Sequence, residues 1–305
     1  MVPTDIPYTH HTTQRAIYSL VAAYSGLSFT SIGRSVMGKD IYALSFGCGE
    51  KKLFINSTHH ANEWITTPVL LKFIQRFMEA VTNKGQIYGF DATELYNNVR
   101  ICCVPLVNPD GVDLVNGAIS TESSEYLKAL EISKCYPDVP FPRGWKANIE
   151  GVDLNLNYPA GWGNARAVKA AKGVTSAAPR DFVGRAPLCA PETRAVYSYT
   201  LTQNFDMTLS YHTQGKVIYW KYLDYLPQDS EEIGRTLSRA SGYRLEVTPS
   251  DSAYGGYKDW FISCYNLPGY TVEAGEGESP LPIEDFDGIY HDNEGLIASA
   301  INILM

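Results

Sequence analysis

Two periods of apolar residues alternate along this chain. Short segments at Phe29–Ile32, Ile41–Phe46 and Leu53–Ile55, bounded or dominated by apolar residues, look like strands. Between and after them, Thr12–Tyr24 and the segment from Trp64 to about Val81 repeat apolar residues at helical spacing. Val99–Val107 reads as a further buried strand with a late proline, and Ser124–Ser133 as a short helix. Cys135 to Pro191 is rich in Gly, Pro, Asn and Ala and has little periodicity; a loop of that length inside a domain is usually functional. Periodicity returns with helices at Glu192–Thr202, Ser230–Ser241 and Tyr257–Cys264 and after Ile283. Strands are expected at Met207–Tyr211, Lys216–Tyr219 and Tyr270–Glu273. Strands alternating with helices predict an α/β sheet with helices on both faces.

Composition narrows this picture. The 305 residues lie near the upper limit for one hydrophobic core, so a single domain spanning 1–305 is expected. The net charge of −8 argues against a nucleic-acid partner, which favours a basic face. No run of eighteen apolar residues occurs, so no membrane span is expected. Met1–Pro7 lacks the basic and apolar regions of a signal peptide. The six cysteines form no CxxC pair; most are expected to pack as reduced thiols, with Cys102 and Cys103 on opposite faces of a strand. The missing signal-peptide pattern and the reduced thiols favour the cytoplasm, with a secreted or wall-associated location as the alternative if a leader is removed. No internal repeat or linker is evident.

The chemistry concentrates at predicted strand ends. His60-Ala-Asn-Glu63 follows the apolar run that ends at Ser57 and precedes a helix. An imidazole and a carboxylate three positions apart on a first helical turn face the same way and can grip one divalent ion; these ligand types suit zinc. His212 follows Met207–Tyr211 and is the third candidate ligand. Two histidines and one glutamate leave a fourth position for water, the pattern of catalytic zinc. Open α/β sheets place their sites beyond the carboxyl ends of strands, where Glu273 also falls. A carboxylate there can accept a proton from an activated water, so Glu273 is the candidate general base, and Glu276 and Glu278 read as an ordinary acidic loop. His59 reads as a neighbour of the site, and His10, His11 and His291 as solvated.

These residues, with Val107-Asn-Pro-Asp-Gly111 and Gly151-Val-Asp-Leu-Asn155, make the chain resemble zinc carboxypeptidases of the carboxypeptidase A type over nearly its whole length. The resemblance implies a three-layer α/β/α sandwich around a mixed, twisted eight-stranded sheet, and one zinc per chain. It is similar in particular to bacterial γ-D-glutamyl-diamino acid peptidases, through Trp145–Trp162 and Gly255–Phe261. By the same resemblance Asp153 orients the first zinc histidine, and Asn155 helps hold a substrate carboxylate.

Three departures qualify it. The arginine that follows the asparagine in ordinary carboxypeptidases, and clamps a C-terminal carboxylate, is Leu156 here. Arg166, Arg180, Arg185 and Arg194 are the candidates to replace it. The oxyanion-stabilising arginine is replaced by Lys146, with Arg143 as a nearby rival. The mobile tyrosine aligns with Asp251, leaving Tyr254 as its substitute. The expected function is zinc-dependent hydrolysis of a peptide bond, in murein peptides at a γ-D-glutamyl-diamino acid linkage. The alternatives are a metallocarboxypeptidase acting on ordinary peptides and, in another class, a non-catalytic peptidoglycan-binding module. The expected partner is therefore a peptide or murein peptide.

Overall fold

A computed structural model describes residues 1–250 and 252–305; Asp251, the position aligned with the mobile tyrosine, lies outside the described residues. In chain order the elements are α1 (His10–Ala23), β1 (Leu27–Arg34), β2 (Asp40–Phe46), β3 (Lys51–Ser57), α2 (Thr66–Thr82), the small β4–β5 pair (Gln86–Ile87, Phe90–Asp91), α3 (Ala92–Asn98) and β6 (Val99–Val104). There follow α4 (Pro109–Val115), α5 (Ser124–Ser133), α6 (Trp162–Ala171), α7 (Pro191–Gln203), β7 (Met207–His212), β8 (Val217–Tyr219), α8 (Ser230–Ser241), β9 (Arg244–Glu246), α9 (Tyr257–Tyr265), β10 (Gly269–Glu273) and α10 (Phe286–Ile303).

Eight strands form one mixed sheet in the order β1-β2-β6-β3-β7-β10-β8-β9. The central four, β6, β3, β7 and β10, run parallel to one another. The β1–β2 pair joins antiparallel at one side, and β8 with β9 at the other. Because the central strands share a direction, their carboxyl ends meet at one edge of the sheet, and the loops leaving them converge.

Side-chain alternation along each strand builds two cores on the two faces. Leu53 and Ile55 of β3 join Met207, Leu209, Val272 and Cys103 in the larger core, under α1, α2, α8 and α10. Phe54 and Cys102 point the other way, into a core shared with Val196, Tyr257, Trp260 and Phe261 of α7 and α9. The three-layer arrangement and the opposed faces of Cys102 and Cys103 match the sequence expectation. A third cluster, with Ala61, Leu114, Trp145, Ala147 and Ile149, lies beneath the segment that carries Lys146. Among the described residues, no helix is long and apolar enough to cross a membrane.

Several local readings need correction. The segment Cys135–Pro191 contains α6, whose ten residues include four alanines and one glycine and few large apolar side chains, so its helical period was hidden. The helix after Glu63 starts at Thr66, with a separate 3-10 turn over Ala61–Glu63 before it. Strand β6 stops at Val104, because Pro105 has no N–H to continue the ladder. His10 is not solvated: its Nε2 lies 3.1 Å from the Asp40 carbonyl and its ring stacks on Tyr42. Only Cys102 and Cys103 are buried; Cys48, Cys135 and Cys264 are exposed.

Candidate active site

The turn from β3 into α2 is held from several sides. Thr58 sits in the left-handed region at φ 58°, and its Oγ1 lies 2.7 and 2.8 Å from the hydroxyls of Thr66 and Thr67. Asn108 then pins the turn from across the sheet. Its Nδ2 donates to the carbonyls of His59 (3.1 Å) and Ala147 (3.0 Å), while its Oδ1 caps α4 by accepting from Gly111 N. Gly111 must be glycine, since a Cβ there would stand 2.7 Å from the Ala147 carbonyl, Ala61 Cβ and Asn108 Oδ1. The Lys146 carbonyl completes the frame by accepting from Ala61 N at 2.9 Å.

On this frame His60, Glu63 and His212 converge, offering ligand atoms that all lie within 4.8 Å of one another. His60 Nδ1 is 2.9 Å from Glu63 Oε1, and His212 Nδ1 is 2.9 Å from Glu63 Oε2. The two Nδ1 atoms are 3.2 Å apart. On its far side His60 Nε2 lies 3.0 Å from Asp153 Oδ1. An ionised carboxylate only accepts, so Asp153 holds a proton on Nε2, while Nδ1 faces Glu63 and either carries a proton toward that carboxylate or, once that proton leaves, turns its lone pair to a cation. Two nitrogen lone pairs and a carboxylate aimed at one point repel unless a proton or a cation lies between them. The donor set, two imidazole nitrogens and one carboxylate, fits zinc.

The electrostatics of the group have the same origin. Burial alone would lower His60, but the carboxylates of Glu63 and Asp153 outweigh it and hold the imidazole up to about 9. Burial works against the charged forms of Glu63 and Asp153; the surrounding cations prevail and keep both below the usual carboxylate range. Lys146 donates to Glu63 Oε1 at 2.7 Å, and this pairing raises its ammonium despite burial. Burial raises Glu273, an effect that His212 and Lys146 partly oppose. His59 is fully buried, bonds to the Tyr158 hydroxyl at 2.9 Å and is held neutral by burial, so it supports the site from behind.

Beside this group opens a cavity of about 250 Å³ whose lining includes His60, Lys146, Asp153, Asn155, Leu156 and Glu273. Asn155 Oδ1 accepts from Tyr257 N at 3.0 Å, which anchors it to the start of α9. Two residues singled out from the sequence stand elsewhere. Arg143 is exposed and does not line the cavity. Tyr254 packs beside Gly161 at the margin of the second core. Glu276 and Glu278 are exposed, as an acidic loop would be. Sequence reasoning missed the lining residues Lys169, Asp181, Lys258 and Asp259, because a charged residue in a loop or on a helix reads as solvated surface until the packing around it is known. It also assigned no role to Asn108, whose only signal was its place inside Val107-Asn-Pro-Asp-Gly111.

Comparison with known proteins agrees with this geometry. The family described as zinc carboxypeptidase (peptidase M14) matches residues 13–294. The chain is 41% identical over 295 residues to γ-D-glutamyl-L-diamino acid endopeptidase 1 of Lysinibacillus sphaericus, covering 96% of this chain and 72% of that protein. It is 26% identical over 274 residues to carboxypeptidase A1 of Bos taurus, covering 83% of this chain and 59% of that one. Bovine thrombin-activatable fibrinolysis inhibitor, solved with a tick carboxypeptidase inhibitor, shares the fold at TM-score 0.73 and 17% identity, over 99% of this chain and 98% of that one. With a family match over most of its length and a curated relative at this identity, the protein belongs to the zinc carboxypeptidase family and is a metallopeptidase.

Proposed function

We propose that the protein hydrolyses the amide bond between a γ-linked D-glutamyl residue and a diamino acid in murein peptides. The observation that carries this reading is the 41% identity to an endopeptidase named for that linkage, combined with a cavity in which Leu156 stands where a carboxylate-clamping arginine would be. Without that fork of donors, trimming of ordinary C-termini loses its main recognition element.

His60, Glu63 and His212 hold the metal in this reading. Zinc, when bound, polarises the scissile carbonyl and lowers the pKa of the attacking water. Glu273 takes that water's proton and returns it to the leaving amine. Burial favours a base that holds a proton more readily than a solvated glutamate does, which suits it to both steps. Lys146, held beside Glu63 on the cavity wall, supplies positive charge to the developing oxyanion. Asp153 keeps His60 in the ligating tautomer, and Asn155 contacts substrate. Arg143 and Tyr254 reach substrate in this scheme only if it extends beyond the cavity. We place the enzyme in the cytoplasm, because all six cysteines stand as free thiols, the state that a reducing compartment maintains.

Mass spectrometry of products from defined murein tripeptides, tetrapeptides and plain peptides tests the reading. Release of free D-glutamyl ends from the murein peptides, with none by Glu273→Gln, is expected. Sequential loss of C-terminal residues from plain peptides instead would establish the carboxypeptidase alternative, and no product from any substrate would favour a binding module.

A further inference from the structure

The γ-linkage leaves a free α-carboxylate on the glutamyl residue next to the scissile amide, and a site built for it needs a cation there. We infer that Arg180 is the residue that docks this carboxylate, an assignment that rests on the γ-glutamyl reading above. Of the four arginines able to take over from Leu156, only Arg180 lines the cavity beside the metal-ligand group. Arg166 lies over the Trp162 ring at 5.7 Å. Arg194 donates to the carbonyls of Leu188 and Cys189. Arg185 faces two other cavities.

Its backbone is locked to the catalytic wall. The Pro179 carbonyl accepts from Lys146 N (2.8 Å) and Ala147 N (2.9 Å), so Arg180 runs alongside Lys146. Asp181, next in the chain, donates its N–H to Asp153 Oδ2 at 3.0 Å, which ties the segment to the carboxylate that orients His60. Asp181 takes the left-handed conformation, φ 69°, which aspartate adopts more readily than most non-glycine residues.

The side chain is aimed by the same residue. Asp181 Oδ2 accepts from Arg180 Nε at 3.1 Å, while Asp181 Oδ1 accepts from Lys169 Nζ at 2.5 Å. Lys169 thus holds the carboxylate that holds the guanidinium. Among the described residues, no acceptor pairs with the two terminal nitrogens of Arg180, and half of its side chain remains accessible. A guanidinium fixed at Nε with its outer fork open is the geometry that receives a carboxylate bidentately.

The test measures binding as well as hydrolysis. The probes are N-acetyl-γ-D-glutamyl methylamide, with its α-carboxylate free, and the same molecule with that carboxylate converted to a carboxamide. Calorimetry on the zinc-loaded enzyme is expected to show the acid binding ~10- to 100-fold tighter than the carboxamide, the range for a hydrogen-bonded charged pair. Arg180→Ala should abolish that preference while leaving carboxamide binding and zinc content unchanged, and Arg180→Lys should restore part of it. A preference that survives in Arg180→Ala, or equal binding of both probes by the wild type, would overturn the assignment. Retained binding preference without hydrolysis of any γ-glutamyl substrate would remove the proposed activity and leave Arg180 as the carboxylate dock.

Discussion

Glu273 and His212 occupy paired positions in the parallel register of β10 and β7, side by side at the carboxyl ends of adjacent strands. One is the proposed base and the other a ligand, and the sheet's own hydrogen bonding sets their relation. Their removal should therefore separate cleanly. His212→Ala is expected to lower zinc from about one per chain to a small fraction, because two remaining ligands bind weakly. Glu273→Gln is expected to keep its zinc and lose roughly 10²- to 10⁴-fold in kcat. Elemental analysis alongside steady-state kinetics checks both; full zinc in His212→Ala would refute that ligand assignment.

Leu156 lines the cavity as a half-buried apolar side chain. Leu156→Arg places a guanidinium where ordinary carboxypeptidases have one, so hydrolysis of blocked dipeptides with a free C-terminus should rise, by about tenfold if one bidentate pair forms. Unchanged or lower rates on those dipeptides would count against this account of specificity.

Gly111 has no room for a methyl group between α4, the ligand loop and the Lys146 segment. Gly111→Ala should cost about 1–3 kcal/mol of stability through overpacking. It should also weaken zinc binding, since Ala61 and Asn108 must move and both position the turn that carries His60. Denaturant titration with and without zinc separates the two effects; wild-type values for both would show that the frame is looser than the distances indicate.

Glu192 is fully buried at the start of α7, accepting from Val36 N at 3.0 Å and Asn148 Nδ2 at 3.1 Å. Burial, with a smaller push from Asp110, raises its carboxyl to about 7 against donors that pull it down. The folded protein then binds a proton between about pH 4.5 and 7 that the unfolded chain has released. Stability from this group is undiminished below that window and falls as pH rises through it. The difference in unfolding free energy between wild type and Glu192→Gln should move against the wild type by up to about 3 kcal/mol between pH 5 and 8. A pH-independent difference would mean that Glu192 stays ionised throughout.

Much of this protein was legible in its residues because the signals were local. The buried β3 run, the His60–Glu63 spacing and the strand-end positions of His212 and Glu273 each depend on neighbours within a few residues. Helix α6 was not legible, since glycine and alanine carry no amphipathic stripe. Nor was the exclusion of Arg143 and Tyr254 from the cavity, because a short sequence distance from a motif does not say which way a side chain leaves the backbone.

By itself the sequence determined the alternating architecture, the chemical types gathered at the strand ends and the loss of the clamp at Leu156. Only the tertiary structure brought Arg180 to the cavity wall and gathered Asn108, Asp181 and Lys169 around the site. Those placements rest on hydrogen bonds between segments far apart in the chain, such as Lys146 with Pro179 and Asp153 with Asp181, and directional contacts of that kind exist only once the sheet has brought its loops to one edge.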